Sequence, residues 1–229
     1  MTGPADRSAL SWPLLLPGAL LVGFLILPFL ALVGALPHAD GTALTDGDAA
    51  SALVVSLVAA TAATVVDGLL GVPLGLWLAR TRSRARHFVA AAVLLPLSVP
   101  PVVGGLELIL LLGPNGWLGS QLARIGLNPL DTIAGTVLAQ MFIAAPFVVI
   151  SARAAFESVD ASVGEAARML GCGPAQTFFR ALLPAARRGV IMGLVLGWVR
   201  CLGEFGATAV LAYHPYTLPT LTYVDLSGP

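Results

Sequence analysis

Five long apolar runs, separated by short polar or arginine-bearing segments, constrain this chain more than any other feature of its 229 residues. A helix crosses a bilayer with about 20 mostly apolar residues. Runs of that length lie at about Trp12–Leu36, Ala52–Ala79, Phe88–Leu112, Thr132–Ala152 and Val190–Ala212. Charged residues make up only 10% of the chain, where a soluble domain carries about 25%. Backbone polar groups find no water in hydrocarbon, so such runs must be helical. The expectation is an all-α, polytopic helical membrane protein with five transmembrane helices in this chain. One transmembrane domain covers residues 12–229, and no soluble domain fits between the runs. The first run is long for a signal core and lacks a small-x-small cleavage site, so it reads as an uncleaved span.

Arginine placement sets the orientation, because cytoplasmic loops are enriched in basic residues. Arg80, Arg82, Arg84 and Arg86 follow the second run, and Arg153, Arg168, Arg180, Arg187 and Arg188 follow the fourth. Asp40, Asp46 and Asp48 lie between the first and second runs, and Arg124 alone lies between the third and fourth. The N-terminus, with Arg7, is therefore expected in the cytoplasm. No sixth apolar run follows, so Leu226-Ser227-Gly228-Pro229 reads as an outer loop.

The chain contains no lysine. A phosphate-cradling loop for nucleotide hydrolysis needs Gly-rich backbone followed by Lys and Ser or Thr. Any ATP-driven work must therefore come from a partner. Net charge is zero, which gives no reason to expect a nucleic-acid partner. Cys172 and Cys201 lack metal-ligand spacing and read as small packing residues. No metal site and no nucleophile–base set is expected.

Residues 157–184 form a basic loop that reads as two short helices. Ser162 and Glu165 have capping-box spacing. Val163, Ala167 and Leu170 fall on one helical stripe. Gly171 suits the left-handed residue that ends a helix, and Pro174 suits the first turn of the next. Phe178/Leu182 and Phe179/Leu183 are i,i+4 apolar pairs. Pro184 should push Leu183 toward an extended backbone and mark the exit. Taken alone, this pattern also fits an amphipathic loop lying on the membrane.

Glu165-Ala166-Ala167, three residues, Gly171, nine residues, Ala181, one residue, then Leu183-Pro184 resembles the EAA motif of ABC importer permeases. Ala181 is small where that family usually has a branched apolar residue. Leu95-Pro96-Leu97-Ser98-Val99-Pro100-Pro101-Val102-Val103-Gly104-Gly105, Gly113-Pro114-Asn115-Gly116 and Gly203-Glu204-Phe205-Gly206-Ala207-Thr208 narrow the likeness to permeases for molybdate and related oxyanions. The resemblance runs from about Leu14 to Leu211 and departs at Ala212–Pro219.

It implies a type I importer permease bundle in the bacterial or archaeal cytoplasmic (inner) membrane. Two permease copies, an ATP-binding subunit dimer and an extracytoplasmic substrate-binding protein would assemble. ATP and Mg would sit on the partner, with no cofactor bound by this chain. Glu165, Ala166, Ala167, Gly171, Leu183 and Pro184 would couple the permease to the ATPase. Relatives carry one further helix than the five runs here. Sulfate, tungstate or phosphonate are alternative cargoes. A membrane enzyme or assembly protein, or a passive channel, are alternatives from other classes.

Charged residues inside spans are costly and are functional candidates by default. Four occur here: Asp67, Glu107, Arg200 and Glu204. Arg200 and Glu204 are i,i+4 and should pair, either to hold the bundle together or to line a pathway. Asp67 and Glu107 read as satisfied packing residues. Pro100-Pro101 should break the third run. Amides at Val102–Gly105 would then face an anion at a helix start, or the prolines merely shape the bundle. The candidate pathway set is Pro100, Pro101, Gly104, Gly105, Arg200, Glu204, Phe205, Gly206 and Thr208.

Overall fold

The structure is a computed structural model and describes residues 12–35 and 47–227. Arg7, Leu36, Asp40, Asp46, Gly228 and Pro229, which enter the expectations above, lie outside the described residues. The described chain is all helical. It divides after Asp46 into two units. The first contributes α1 (Trp12–Ala35), an apolar helix of 24 residues.

The second unit is built on α2 (Gly47–Arg80), α6 (Ile133–Glu157) and α9 (Leu183–Leu202). Helix α6 packs against both α2 and α9. The reason lies in small residues, because helices in lipid associate through close packing rather than through expulsion of water. Gly75 of α2 lies so near Ala152 of α6 that an added Cβ would come within 2.7 Å of the alanine Cβ. On α9, Gly189, Gly193 and Gly197 recur every fourth residue. They sit against Ala155, Ser151 and Val148 of α6 respectively. Gly68 and Gly71 of α2 make similar approaches, to Leu194 of α9 and to Val149 of α6. The α9 stripe had not been singled out.

Among the described residues, three apolar helices are long enough to cross a membrane: Asp48–Arg80, Ile133–Glu157 and Pro174–Leu202. A bent pair of helices is long and apolar enough only when its two halves are taken together. Helices α3 (Ala85–Ser98) and α4 (Pro101–Leu112) meet at 114°. Val99 is extended (φ −113°, ψ 135°), as steric contact with the following proline ring demands. Pro101 then starts α4, where its missing N–H costs nothing. The break falls at the prolines where the sequence places it.

The last expected run, Val190–Ala212, is not one span. Helix α9 ends at Leu202, and Gly203–Phe205 separates it from α10 (Gly206–Leu211). At its start the same helix reaches back to Pro174, through α8 (Pro174–Thr177) and a π-helical turn at Phe178–Leu182. Pro184 therefore does not mark an exit, and Leu183 is helical (φ −64°, ψ −44°) rather than extended. In the π turn the Leu183 N–H reaches back five residues to the Phe178 carbonyl. That wider turn accommodates a proline that would crowd a regular helix.

Leu226 and Ser227, the described residues of the segment read as an outer loop, end a helix: α11 spans Leu218–Ser227. It is tied to α2 by the Leu218 N–H, which donates to Ser56 Oγ at 2.8 Å. The short α5 (Trp117–Arg124) and α7 (Ala161–Met169) complete the unit.

Gly193→Leu is expected to push α9 off α6 and destabilise the bundle by about 1–3 kcal/mol. Gly173→Ala, at a site with open space around it, should change stability by less than about 0.5 kcal/mol. Thermal unfolding in detergent checks both; equal melting temperatures for the two variants would contradict the packing account.

Candidate functional site

The coupling segment is built from its caps outward. Helix α7 starts at Asp160, whose carboxylate accepts the Ser162 N–H at 2.8 Å. The cap is thus Asp160 and not Ser162, so the expected Ser162–Glu165 box is replaced by a tighter turn. The Ser162 hydroxyl, and then this N–H, hold the exposed Asp160 carboxyl below its ordinary range by favouring its charged form.

Helix α7 ends in a Schellman turn. The Gly171 N–H donates to Arg168 O at 2.9 Å and the Cys172 N–H to Ala167 O at 3.1 Å. Gly171 takes φ +80°, the left-handed conformation expected of it and open to glycine without steric cost.

Ala167, Thr177 and Leu182 are buried, and Phe178 packs on Phe156 of α6 with ring centroids 6.2 Å apart. Glu165, Ala166, Gly171 and Pro184 are exposed, and Leu183 is half-buried. Leu170 was expected on the buried stripe with Val163 and Ala167. Instead Met169 and Leu170 are 89% and 85% exposed, because the Schellman turn swings the chain away at Leu170. Two adjacent apolar side chains therefore project from a basic loop. The loop is anchored to the bundle by Arg80, the last residue of α2. Its guanidinium donates to Val159 O at 2.7 Å and to Phe156 O at 3.2 Å.

At the other end of α9, Arg200 and Glu204 pair at 2.6 Å, with Glu204 only 1% exposed. The second carboxylate oxygen accepts the Ala207 N–H at 2.7 Å, and the Glu204 carbonyl accepts the Thr208 hydroxyl at 3.0 Å. Glu204 thus bridges the break between α9 and α10 and leaves neither oxygen orphaned. Ala207 and Val210 of α10 press on Gly105 of α4, and Gly206 presses on Pro101 and Val102. Gly104 faces Phe142 of α6. Pro100, Pro101, Gly105, Glu204, Gly206 and Thr208 thus lie around one α4–α10 junction, with Arg200 and Phe205 at its edge.

Of the amides expected to be open at Val102–Gly105, the Val103 and Gly104 N–H groups are engaged: both donate to the Pro100 carbonyl, at 2.9 and 3.1 Å.

Asp67 of α2 is buried, and its Oδ2 has no hydrogen-bond partner among the described residues. It faces a cavity of about 510 Å³ lined by Leu70, Val89, Pro96, Phe142 and Pro146. It is not the satisfied packing residue expected. Glu107, by contrast, is exposed. Sequence spacing had no means of finding either the Arg80 clamp or the Glu204 bridge to α10. Both join segments through backbone groups, which side-chain patterns do not register.

Arg200→Ala leaves a buried carboxylate with one partner gone and is expected to cost about 3–5 kcal/mol. Arg200→Ala/Glu204→Gln should recover part of that loss. Unfolding midpoints measured in detergent check the order; a double variant less stable than Arg200→Ala would contradict the pairing.

A family described as "Binding-protein-dependent transport system inner membrane component" matches residues 71–223. The chain is 43% identical over 211 residues to a probable molybdenum ABC transporter permease protein of Haloferax volcanii, covering 90% of this chain and 77% of that one. It is 40% identical to the molybdenum transport system permease protein ModB of Mycobacterium tuberculosis, covering 74% of this chain and 64% of that one. It is also 30% identical to a probable sulfate transport system permease protein of Chlorokybus atmophyticus, covering 96% and 76%. In fold it is similar to an amino acid ABC transporter of known crystal structure, with TM-score 0.54 and 20% identity over 87% of this chain and 82% of that one. The family match and the relatives agree: the chain belongs to the family described as binding-protein-dependent transport system inner membrane components, and is a multi-pass membrane permease rather than an enzyme.

Proposed function

We propose that this chain is the permease subunit of an ATP-driven importer of molybdate or a related tetrahedral oxyanion. The observation that carries the transport reading is the turn at Gly171. It projects Met169 and Leu170 from a loop that is continuous with a long apolar helix. An isolated apolar pair in a basic loop suits a partner's groove. Glu165, Ala166, Ala167, Gly171, Leu183 and Pro184 belong to that docking element. Its partner is a dimer of ATP-binding subunits, which holds ATP and Mg; this chain supplies no cofactor. A second permease copy and an extracytoplasmic binding protein complete the assembly. The N-terminus lies in the cytoplasm of a bacterial or archaeal cell.

In this reading the ATPases close on ATP and draw the two coupling turns together. Each turn is stiffly joined to α9 through the π segment, so its displacement passes to the Gly203–Phe205 break. The junction of α4 and α10, with Pro100, Pro101, Gly104, Gly105, Phe205, Gly206 and Thr208, lines or shapes the path there. Arg200 and Glu204 hold the break in one arrangement. The cargo is carried unchanged, so the permease needs only to expose its path to one side at a time.

The oxyanion assignment rests on the molybdenum permeases named above. Sulfate is the second reading, supported by the relative from Chlorokybus atmophyticus. Gly171→Val places a β-branched residue at φ +80°, where it is strongly disfavoured. The variant is expected to lose at least about nine-tenths of ATP-dependent molybdate uptake, a loss of about 1.4 kcal/mol or more in coupling. The measurement uses vesicles that hold the complete assembly. Uptake at the wild-type rate would contradict the coupling role. Sulfate outcompeting molybdate would move the assignment to the second reading.

A further inference from the structure

A basic cleft of about 520 Å³ opens between the end of α2 and helix α7. Arg80, Arg82, Arg86 and Arg168 line it, with Glu165 as the one carboxylate among its described lining residues. Four arginines against one glutamate leave three positive charges in excess. Arg80 is already engaged with the Phe156 and Val159 carbonyls and stiffens the back wall. Arg86 reaches only the Thr81 carbonyl, at 3.4 Å. Neither Arg82 nor Arg168 has a salt-bridge partner among the described residues. The transport mechanism uses none of this excess charge.

The position of the cleft says what kind of anion fits. Arg80 is the last residue of a helix long and apolar enough to cross a membrane, and arginines that end such a helix commonly reach the level of the lipid headgroups. Trp77, one turn earlier, is 40% exposed, as aromatic residues at that level commonly are. A second cavity of about 530 Å³ shares Arg80, Thr81 and Arg168 with the first and continues it toward the membrane along Pro73, Leu76 and Trp77. A charged compartment thus runs into an apolar wall. Basic pockets beside spans on the cytoplasmic side take anionic headgroups.

We propose that this cleft binds the phosphate group of an anionic lipid, with the first part of an acyl chain along the Pro73–Trp77 wall. The bound phosphate would bridge the α2–α3 loop, through Arg82 and Arg86, to α7, through Arg168. It would thereby brace the coupling turn against the bundle. Free inorganic phosphate presents the same chemistry without the chain. The proposal does not depend on which oxyanion is carried.

The test uses the assembled transporter in nanodiscs of phosphatidylcholine, with and without added phosphatidylglycerol. Retained lipid is read by native mass spectrometry. Wild-type protein is expected to retain phosphatidylglycerol. Arg82→Gln/Arg86→Gln should weaken that retention roughly 25-fold, since each arginine near the surface contributes about a fivefold preference for anionic lipid. Arg82→Lys/Arg86→Lys should keep most of it, which separates lost charge from misfolding. Arg187→Gln, at an exposed arginine outside the cleft, should retain lipid as wild type does.

Inorganic phosphate added to the phosphatidylglycerol nanodiscs distinguishes the sources. Displacement only at high phosphate supports the lipid, and displacement at low phosphate supports a soluble anion in the same cleft. Equal lipid retention by wild type and the glutamine double variant would overturn the proposal. So would a double variant that keeps its lipid but releases the ATP-binding subunits, because the cleft would then belong to acidic groups of that partner.

Discussion

Close approach of α6 to its two neighbours is the constraint on which the rest of this structure depends. Burying apolar side chains drives little in a solvent as apolar as they are, so helices in lipid cohere by fitting backbones together. Here the fit is made by glycines meeting alanine, serine and valine along α6, from Gly75 on one side and from Gly189, Gly193 and Gly197 on the other. The charged groups are placed around this packed centre. Arg80 caps the C-terminal end of α6 through two carbonyls. The Arg200–Glu204 pair secures the far end of α9. Neither feature would hold its geometry if the helices stood apart.

Function in this fold comes from interruptions set against that rigid frame. The chain breaks at Val99–Pro100, turns back at Gly171 and breaks again at Gly203–Phe205. Each interruption has its own satisfaction of backbone groups: the Pro100 carbonyl takes two N–H groups, the Schellman turn closes α7, and Glu204 accepts the Ala207 N–H. This accounting matters because an unpaired backbone group in hydrocarbon costs several kcal/mol. Asp67 is the exception. It is a buried carboxylate with a free oxygen over an apolar cavity, and among the described residues only Gln140, through its Oε1, is likewise buried without a partner.

Some of this architecture is legible in the sequence, and the reasons differ by element. Proline and glycine act locally, so Pro100-Pro101 announces the bend and Gly171 the left-handed turn. The i,i+4 relation of Arg200 and Glu204 is also local and announces the pair. What the sequence hides is whether a local signal is overruled by its surroundings. Pro184 reads as a helix terminator, yet the π turn at Phe178–Leu182 carries the helix past it. Leu170 reads as the third residue of an apolar stripe, yet the cap geometry leaves it exposed. Ser162 reads as a cap, yet Asp160 is two residues nearer to the helix start and takes the bond. Leu218–Ser227 is too short and too mixed to register as a span. Its helix is fixed partly by Ser56, a residue more than 160 positions earlier. Long-range partners of this kind leave no trace in periodicity.

The central claim is that the coupling turn and α9 move as one body, because the π segment extends the helix without a hinge. Spin labels at Ala175, just past the turn, and Val199, both exposed on the helix that runs from Pro174 to Leu202, in a background with Cys172 and Cys201 replaced, report that directly by their separation in the assembled transporter. The account predicts the same distance distribution in the nucleotide-free and ATP-bound states. A distance that shifts or broadens on ATP binding would mean that the helix bends between the turn and the membrane, and that coupling runs by another route.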